Sequence, residues 1–157
     1  MQITAELDYN YSDIYSVIDE LFDDVSDDLS DVEELVVDEK HIWIKVTVDG
    51  ELAGYYWLHP YTNSVMQIHV NVLKPFRKYK DEIKETVQVE ILKHLPDHID
   101  QLISVIPEIY PNVLAYSLSC GFKLKGCIRE VYLKNGTYWD YDIVGITVEE
   151  FKSQVTE

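Results

Sequence analysis

Two dipeptides, Asp49-Gly50 and Asn135-Gly136, constrain this chain more than any other feature. Each sits between runs rich in β-branched and aromatic residues. Each reads as a tight hairpin turn, because glycine takes positive φ at little steric cost. His41–Val48 and Leu52–Leu58 are therefore read as one hairpin, and Phe122–Leu133 with Tyr138–Ile146 as another. Tyr61-Thr62-Asn63-Ser64 is a further turn, followed by a strand over Val65–Leu73 that Pro75 ends. Gln2–Asp8 alternates in polarity and reads as a strand, and Gln101–Ile106 is a short buried strand closed by Pro107.

Between these strands the hydrophobic period changes to 3.6. Ile83, Val87, Ile91 and Leu95 make one stripe over about 79–95, and Pro96 stops it. Residues 110–120 read as a second such segment, with Gly121 as its C-terminal cap. Thr147 caps a last helical turn through Phe151. Near the start, Ile14, Val17, Ile18, Leu21, Phe22, Val25, Leu29 and Val32 predict one or two amphipathic helices reaching about Glu34, capped by Ser12 or Asp13. The order is β-α-α-β-β-β-α-β-α-β-β. It predicts one mixed α/β (α+β) domain spanning 1–157, with helices covering a mostly antiparallel sheet.

Length supports a single domain. A chain of 157 residues buries enough surface to fold without a disulfide or metal. Cys120 and Cys127 are read as reduced thiols, and MQITAELDYNY has neither the basic start nor the apolar run of a leader, so a cytoplasmic protein is expected. No apolar run is long enough for a membrane span. The five histidines are scattered, so no metal site is expected.

Charge is the second constraint. Thirteen Lys and Arg against 29 Asp and Glu give a net charge of −16. That excess argues against direct nucleic-acid binding and favours a cationic partner or simple solubility. Residues 1–40 hold fourteen acids and one base, and nine of the acids lie between Asp19 and Glu34. One segment reverses the sign: Lys74-Pro75-Phe76-Arg77-Lys78-Tyr79-Lys80 carries four of the thirteen bases between a strand and a helix. A basic loop at a helix start is an anion site, since the first backbone N–H groups are unpaired and the dipole is positive there. Its other reading is a solvated turn balancing Asp81 and Glu82.

The element order, the Val72-Leu73-Lys74-Pro75-Phe76-Arg77 segment, and the run Cys120-Gly121-Phe122-Lys123, Gly126-x-x-Arg129-Glu130, Asn135-Gly136-x-x-x-Asp140 together resemble the GNAT superfamily of acyl-CoA-dependent N-acyltransferases. The closing run is similar to members that acetylate protein N-termini. His69 with Pro75 and Arg77 also resembles divergent GNAT proteins of tailed bacteriophages, some of them virion components. The resemblance implies a wedge between strands 65–73 and 101–106, opened by a bulge in the first. Acetyl-CoA or another acyl-CoA would lie in it. Backbone N–H groups near Val72 and Leu73 would hold the thioester carbonyl, and Arg77, Lys78 and Lys80 the pyrophosphate. Two positions depart from the family pattern: Lys80 and Glu82 stand where small residues let the backbone approach phosphate.

For chemistry, His69 is the candidate base, alternating with Asn71 on one side of its strand, and His59 a weaker one. The family's thiolate-protonating tyrosine position holds Ser117; Tyr116 beside it is the candidate acid, with Tyr110 a turn or two earlier. Cys120 has no neighbour in sequence that would activate it. The expected activity is acyl transfer to an amine, with a basic peptide or protein amine as acceptor. The alternatives are an inactive GNAT-fold structural or regulatory protein, such as a virion component, and an acidic decoy for a nucleic-acid-binding protein.

Overall fold

The computed structural model describes residues 1–21 and 41–155. Its elements are β1 (Ile3–Leu7), α1 (Tyr11–Glu20), β2 (Ile42–Val48), β3 (Glu51–Pro60), β4 (Val65–Val72), a 3-10 turn (Lys74–Tyr79), α2 (Lys80–His94), β5 (Gln101–Pro107), α3 (Pro111–Ser119), β6 (Lys123–Lys134), β7 (Thr137–Thr147) and α4 (Val148–Ser153). The second helix expected before Glu34 lies outside the described residues. Among the described residues no helix is long and apolar enough to cross a membrane.

The strands form one seven-stranded sheet in the order β1-β2-β3-β4-β5-β7-β6. Every pairing is antiparallel except β4 with β5. The mixed, mostly antiparallel α/β fold expected from the sequence is therefore the one observed. The hairpin turns form as the sequence demands: Asp49, Gly50, Asn135 and Gly136 all have positive φ.

Strand alternation sorts the core into two layers. On one face Ile42, Ile44, Val46, Met66, Ile68 and Val72 pack with Ile83, Val87 and Ile91 of α2. On the other, Trp43 and Tyr55 pack under Ile14, Val17, Ile18 and Leu21 at the α1 end. The cap of α1 is Asn10, whose side chain accepts from Asp13 N at 3.2 Å, and not Ser12 or Asp13 as expected. An N-cap needs an extended backbone, and Asn10 has it (φ −72°, ψ 98°). The C-terminal end follows expectation, with a full capping box between Thr147 and Glu150 on α4.

One irregularity lies where the sheet meets the wedge. The β2–β3 register shifts between Val46 and Thr47, which places an extra residue in β3. In consequence Ala53 and Tyr55, two residues apart, pack in different layers. Gly54 follows the shift, and a Cβ there would stand 2.1 Å from the carbonyl oxygen of Asn71. Backbone cannot yield as a flexible side chain does. Gly54→Ala is thus expected to destabilise the fold by about 1–3 kcal/mol, read as a fall in the urea midpoint. An unchanged midpoint would show that β3 and β4 can part there.

Candidate active site

Strands β4 and β5 pair only from Val65↔Gln101 to Gln67↔Ile103, then part. Beyond that point β4 stays on β3 up to Gly54↔Val72, while β5 follows β7 to Pro107↔Tyr141. The gap is a wedge of about 560 Å³, walled by residues 69–72 of β4 and 104–107 of β5, with α2 and α3 at its sides. The bulge expected in β4 is not there: the β3–β4 register is continuous. The strands separate because each keeps its other neighbour, and the nearby register shift belongs to β3.

Antiparallel pairing assigns the backbone groups along β4. Leu73 N–H donates to Ala53 O at 2.8 Å, so odd-numbered residues of β4 bond to β3. By that alternation the peptide groups of Val72 turn toward the wedge, and its carbonyl accepts from Arg77 Nε at 3.0 Å. Of the two amides expected to meet a carbonyl, Val72 faces the wedge and Leu73 does not, because the sheet already uses it. Beside them Asn71 is buried and lines the wedge, and among the described residues its Nδ2 has no hydrogen-bond partner. A buried donor left in this way carries a cost of about 1–3 kcal/mol that an acceptor in the wedge would remove.

The basic segment is not a loop. Lys74–Tyr79 is a 3-10 turn running directly into α2, with Phe76 N–H on Leu73 O and Lys80 N–H on Arg77 O. Such a turn pairs each N–H with the carbonyl three residues earlier. The amide of Lys80, one of the two positions where a small residue would stand, is thereby engaged. What remains is side-chain charge: Arg77, Lys80 and Lys84 line the wedge. Lys78 lies over the ring of Tyr79 at 5.2 Å and is not among the lining residues. Glu82 is exposed and also away from the wedge.

Tyr116 lines the wedge from α3. Its hydroxyl donates to Asp81 Oδ1 at 2.8 Å, and Lys80 Nζ lies 4.5 Å from its ring centre. Burial, then the bond to Asp81, raise its pKa far above the ordinary phenol value, so it keeps its proton at neutral pH. Ser117, Tyr110 and Cys120 line the same space.

His69 stands where the wedge meets a second cavity of about 340 Å³, lined by Tyr61, Gln67, Tyr132 and Tyr141 among others. Its ring stacks on Trp57 at 4.5 Å, and its Nε2 lies 2.9 Å from Nε2 of His59. Burial, then the neighbouring His59 and His41, push its pKa down to about 3, so it is a neutral imidazole at physiological pH. Two groups of this site were not assigned to it from sequence, the Asp81 partner of Tyr116 and Lys84, and the contact of His59, a weaker candidate base, with His69 was not foreseen. Each depends on register or helix docking that sequence spacing does not state.

No protein-family model and no curated protein matches the sequence. Comparison of structures does match. The spermidine N-acetyltransferase of Vibrio cholerae, in complex with CoA and spermine, aligns with a TM-score of 0.77 over 96% of this chain and 98% of that one, at 14% identity. This chain has the GNAT fold. A chimera of the Vibrio cholerae enzyme with hSSAT aligns at 0.78 over 97% and 99%, with 15% identity. A protein named for phosphinothricin N-acetylation aligns at 0.72 over 93% and 98%, with 14% identity. At such identities the shared property is the fold.

Proposed function

We propose that this GNAT-fold protein transfers an acyl group, acetyl in the simplest case, from a CoA thioester to an amine. The observation that carries the reading is the parting of β4 from β5, with Val72's backbone turned toward the gap and the Asn71 side chain, its Nδ2 unpartnered among the described residues, lining it. A narrow wedge with two donors at one point and cations at its side suits a carbonyl-bearing arm ending in phosphates. Arg77, Lys80 and Lys84 would hold the phosphates by charge, the Lys80 amide being engaged by Arg77 O. Bound there, the thioester supplies an activated acyl carbon and a thiolate leaving group.

The chain's own groups then divide the work. Val72 N–H and Asn71 Nδ2 donate toward the carbonyl oxygen as charge develops on it. His69, neutral and at the junction of the two cavities, accepts a hydrogen bond from the attacking amine and passes its proton on to solvent. Tyr116 O–H, kept protonated by Asp81, returns a proton to the departing sulfur. The net charge of −16 favours a cationic acceptor, a basic peptide or protein amine. The Vibrio cholerae relative is named for spermidine and was solved with spermine, so a polyamine belongs on the same panel of acceptors.

The test is calorimetry with CoA and acetyl-CoA, followed by thiol release with a basic peptide and spermidine. Micromolar binding and amine-dependent thiol release are expected; no binding at millimolar acetyl-CoA overturns the reading. Arg77→Ala is expected to weaken CoA by roughly tenfold to a hundredfold, about 1.5–3 kcal/mol, through loss of a charge-assisted contact. An unchanged dissociation constant would place the phosphates elsewhere. A second reading, a GNAT scaffold that binds a partner without catalysis, is favoured by one observation only: the glycine-free 3-10 turn where the phosphate loop would be.

A further inference from the structure

His59 and His69 are diagonal neighbours across the β3–β4 pair, since Trp57 stands opposite His69 and His59 opposite Gln67. The His69 ring stacks on Trp57 at 4.5 Å, the His59 ring lies tilted by 40° against Trp57 at 4.8 Å, and the two imidazole planes lie within 20° of each other with centres 5.0 Å apart. Trp57 is itself held, by Nε1–H donating to His41 Nδ1 at 3.0 Å and by stacking on Trp43 at 4.9 Å. The ring planes are thus fixed by packing rather than by the histidines themselves.

The hydrogen bonds decide the tautomers. Pro60 O lies 3.3 Å from His59 Nδ1, and a carbonyl only accepts. Nδ1 of His59 therefore carries the proton and its Nε2 is bare. The 2.9 Å contact between the two Nε2 atoms needs one proton, which must come from His69. His69 is then the Nε2–H form, and its basic atom is Nδ1. We propose that His59 is a positioning residue that holds His69 in this tautomer, so that Nδ1 is the atom that receives the amine's proton. This rests on the acyltransferase reading above. The chain from Pro60 O through His59 to His69 is a neutral counterpart of the base-orienting group that acyl-transfer sites otherwise draw from a carboxylate.

The step balances without a further reagent. The amine forms the new C–N bond as the C–S bond breaks, and the thiolate takes one proton. The second proton of an ammonium acceptor leaves through His69 Nδ1 to solvent.

The experiment uses the full chain with two variants and one spectroscopic measurement. Nitrogen-15 spectra of the unmodified protein are expected to show His69 protonated at Nε2 and bare at Nδ1. His59→Phe is expected to mix the tautomers and lower kcat by roughly tenfold to a hundredfold, with KM for the acceptor and CoA affinity little changed. His59→Glu, whose carboxylate can accept the same proton, is expected to recover the Nε2–H form and most of kcat. A His69 resonance showing Nδ1–H in the unmodified protein overturns the proposal. So does a kcat for His59→Phe equal to that of the unmodified enzyme, or a His59→Glu variant no better than the phenylalanine one. Failure of the acyltransferase reading is a different result, no thiol release with any amine, and the spectra judge the tautomer even then.

Discussion

Tyr116→Phe is expected to lower turnover by roughly 10²–10³-fold while leaving CoA affinity within about twofold, the range for loss of a positioned acid. The change removes one oxygen and little packing, because the ring stays under Lys80 and against the wedge. It also leaves Asp81 without its donor, but Asp81 is exposed and water replaces the hydroxyl there. A structural loss would therefore be small, and a large fall in kcat reads on chemistry. Asp81→Asn gives the control. It removes the charge that holds the phenol proton, so its turnover is expected to fall less than that of the phenylalanine variant. Full activity in Tyr116→Phe, measured by thiol release at saturating acetyl-CoA, would remove Tyr116 from the acid role.

The second large effect is on stability and follows from His69. Its pKa is about 3 in the folded chain, against 6.5 in a free side chain. A histidine depressed by folding takes up its proton first in the unfolded state. Above about pH 6.5 both states are neutral and nothing is lost. As pH falls below 6.5 the unfolded state gains a proton that the folded state refuses, and stability drops by about 1.4 kcal/mol per pH unit for each such group. Between pH 6.5 and 4 the loss from His69 alone comes to about 3 kcal/mol, levelling off near pH 3. His59 is shifted in the same direction by burial, and adds to the slope. Carboxylates titrate in the same window and the net charge of −16 falls with them. The difference between the unmodified protein and His69→Gln, taken from urea midpoints across that range, isolates the histidine. Parallel curves would mean that His69 is solvated and titrates normally.

Much of the architecture was legible before any coordinates. Asp49-Gly50 and Asn135-Gly136 fixed two hairpins because few other dipeptides tolerate positive φ at both turn positions. The stripe Ile83, Val87, Ile91 fixed which side of α2 lies on the sheet. The wedge residues were less legible. His69, Val72, Arg77, Lys80 and Tyr116 do line one space, but Leu73 does not serve it and Lys78 turns away. A strand's backbone groups alternate in direction, and which parity faces out depends on one hydrogen bond, Leu73 N–H to Ala53 O, that crosses twenty residues of sequence.

The sequence by itself determined the strands, their turns, the helix faces and the reversal of charge at residues 74–80, because these are local properties of φ, hydrophobic period and composition. Only the tertiary structure decided that β4 and β5 part after three pairs, that the basic segment winds into a 3-10 turn, and that His59 meets His69. Those outcomes depend on strand register. The four-residue turn at 61–64 allows several registers, and shifting the pairing by one residue would move His59 to the opposite face from His69.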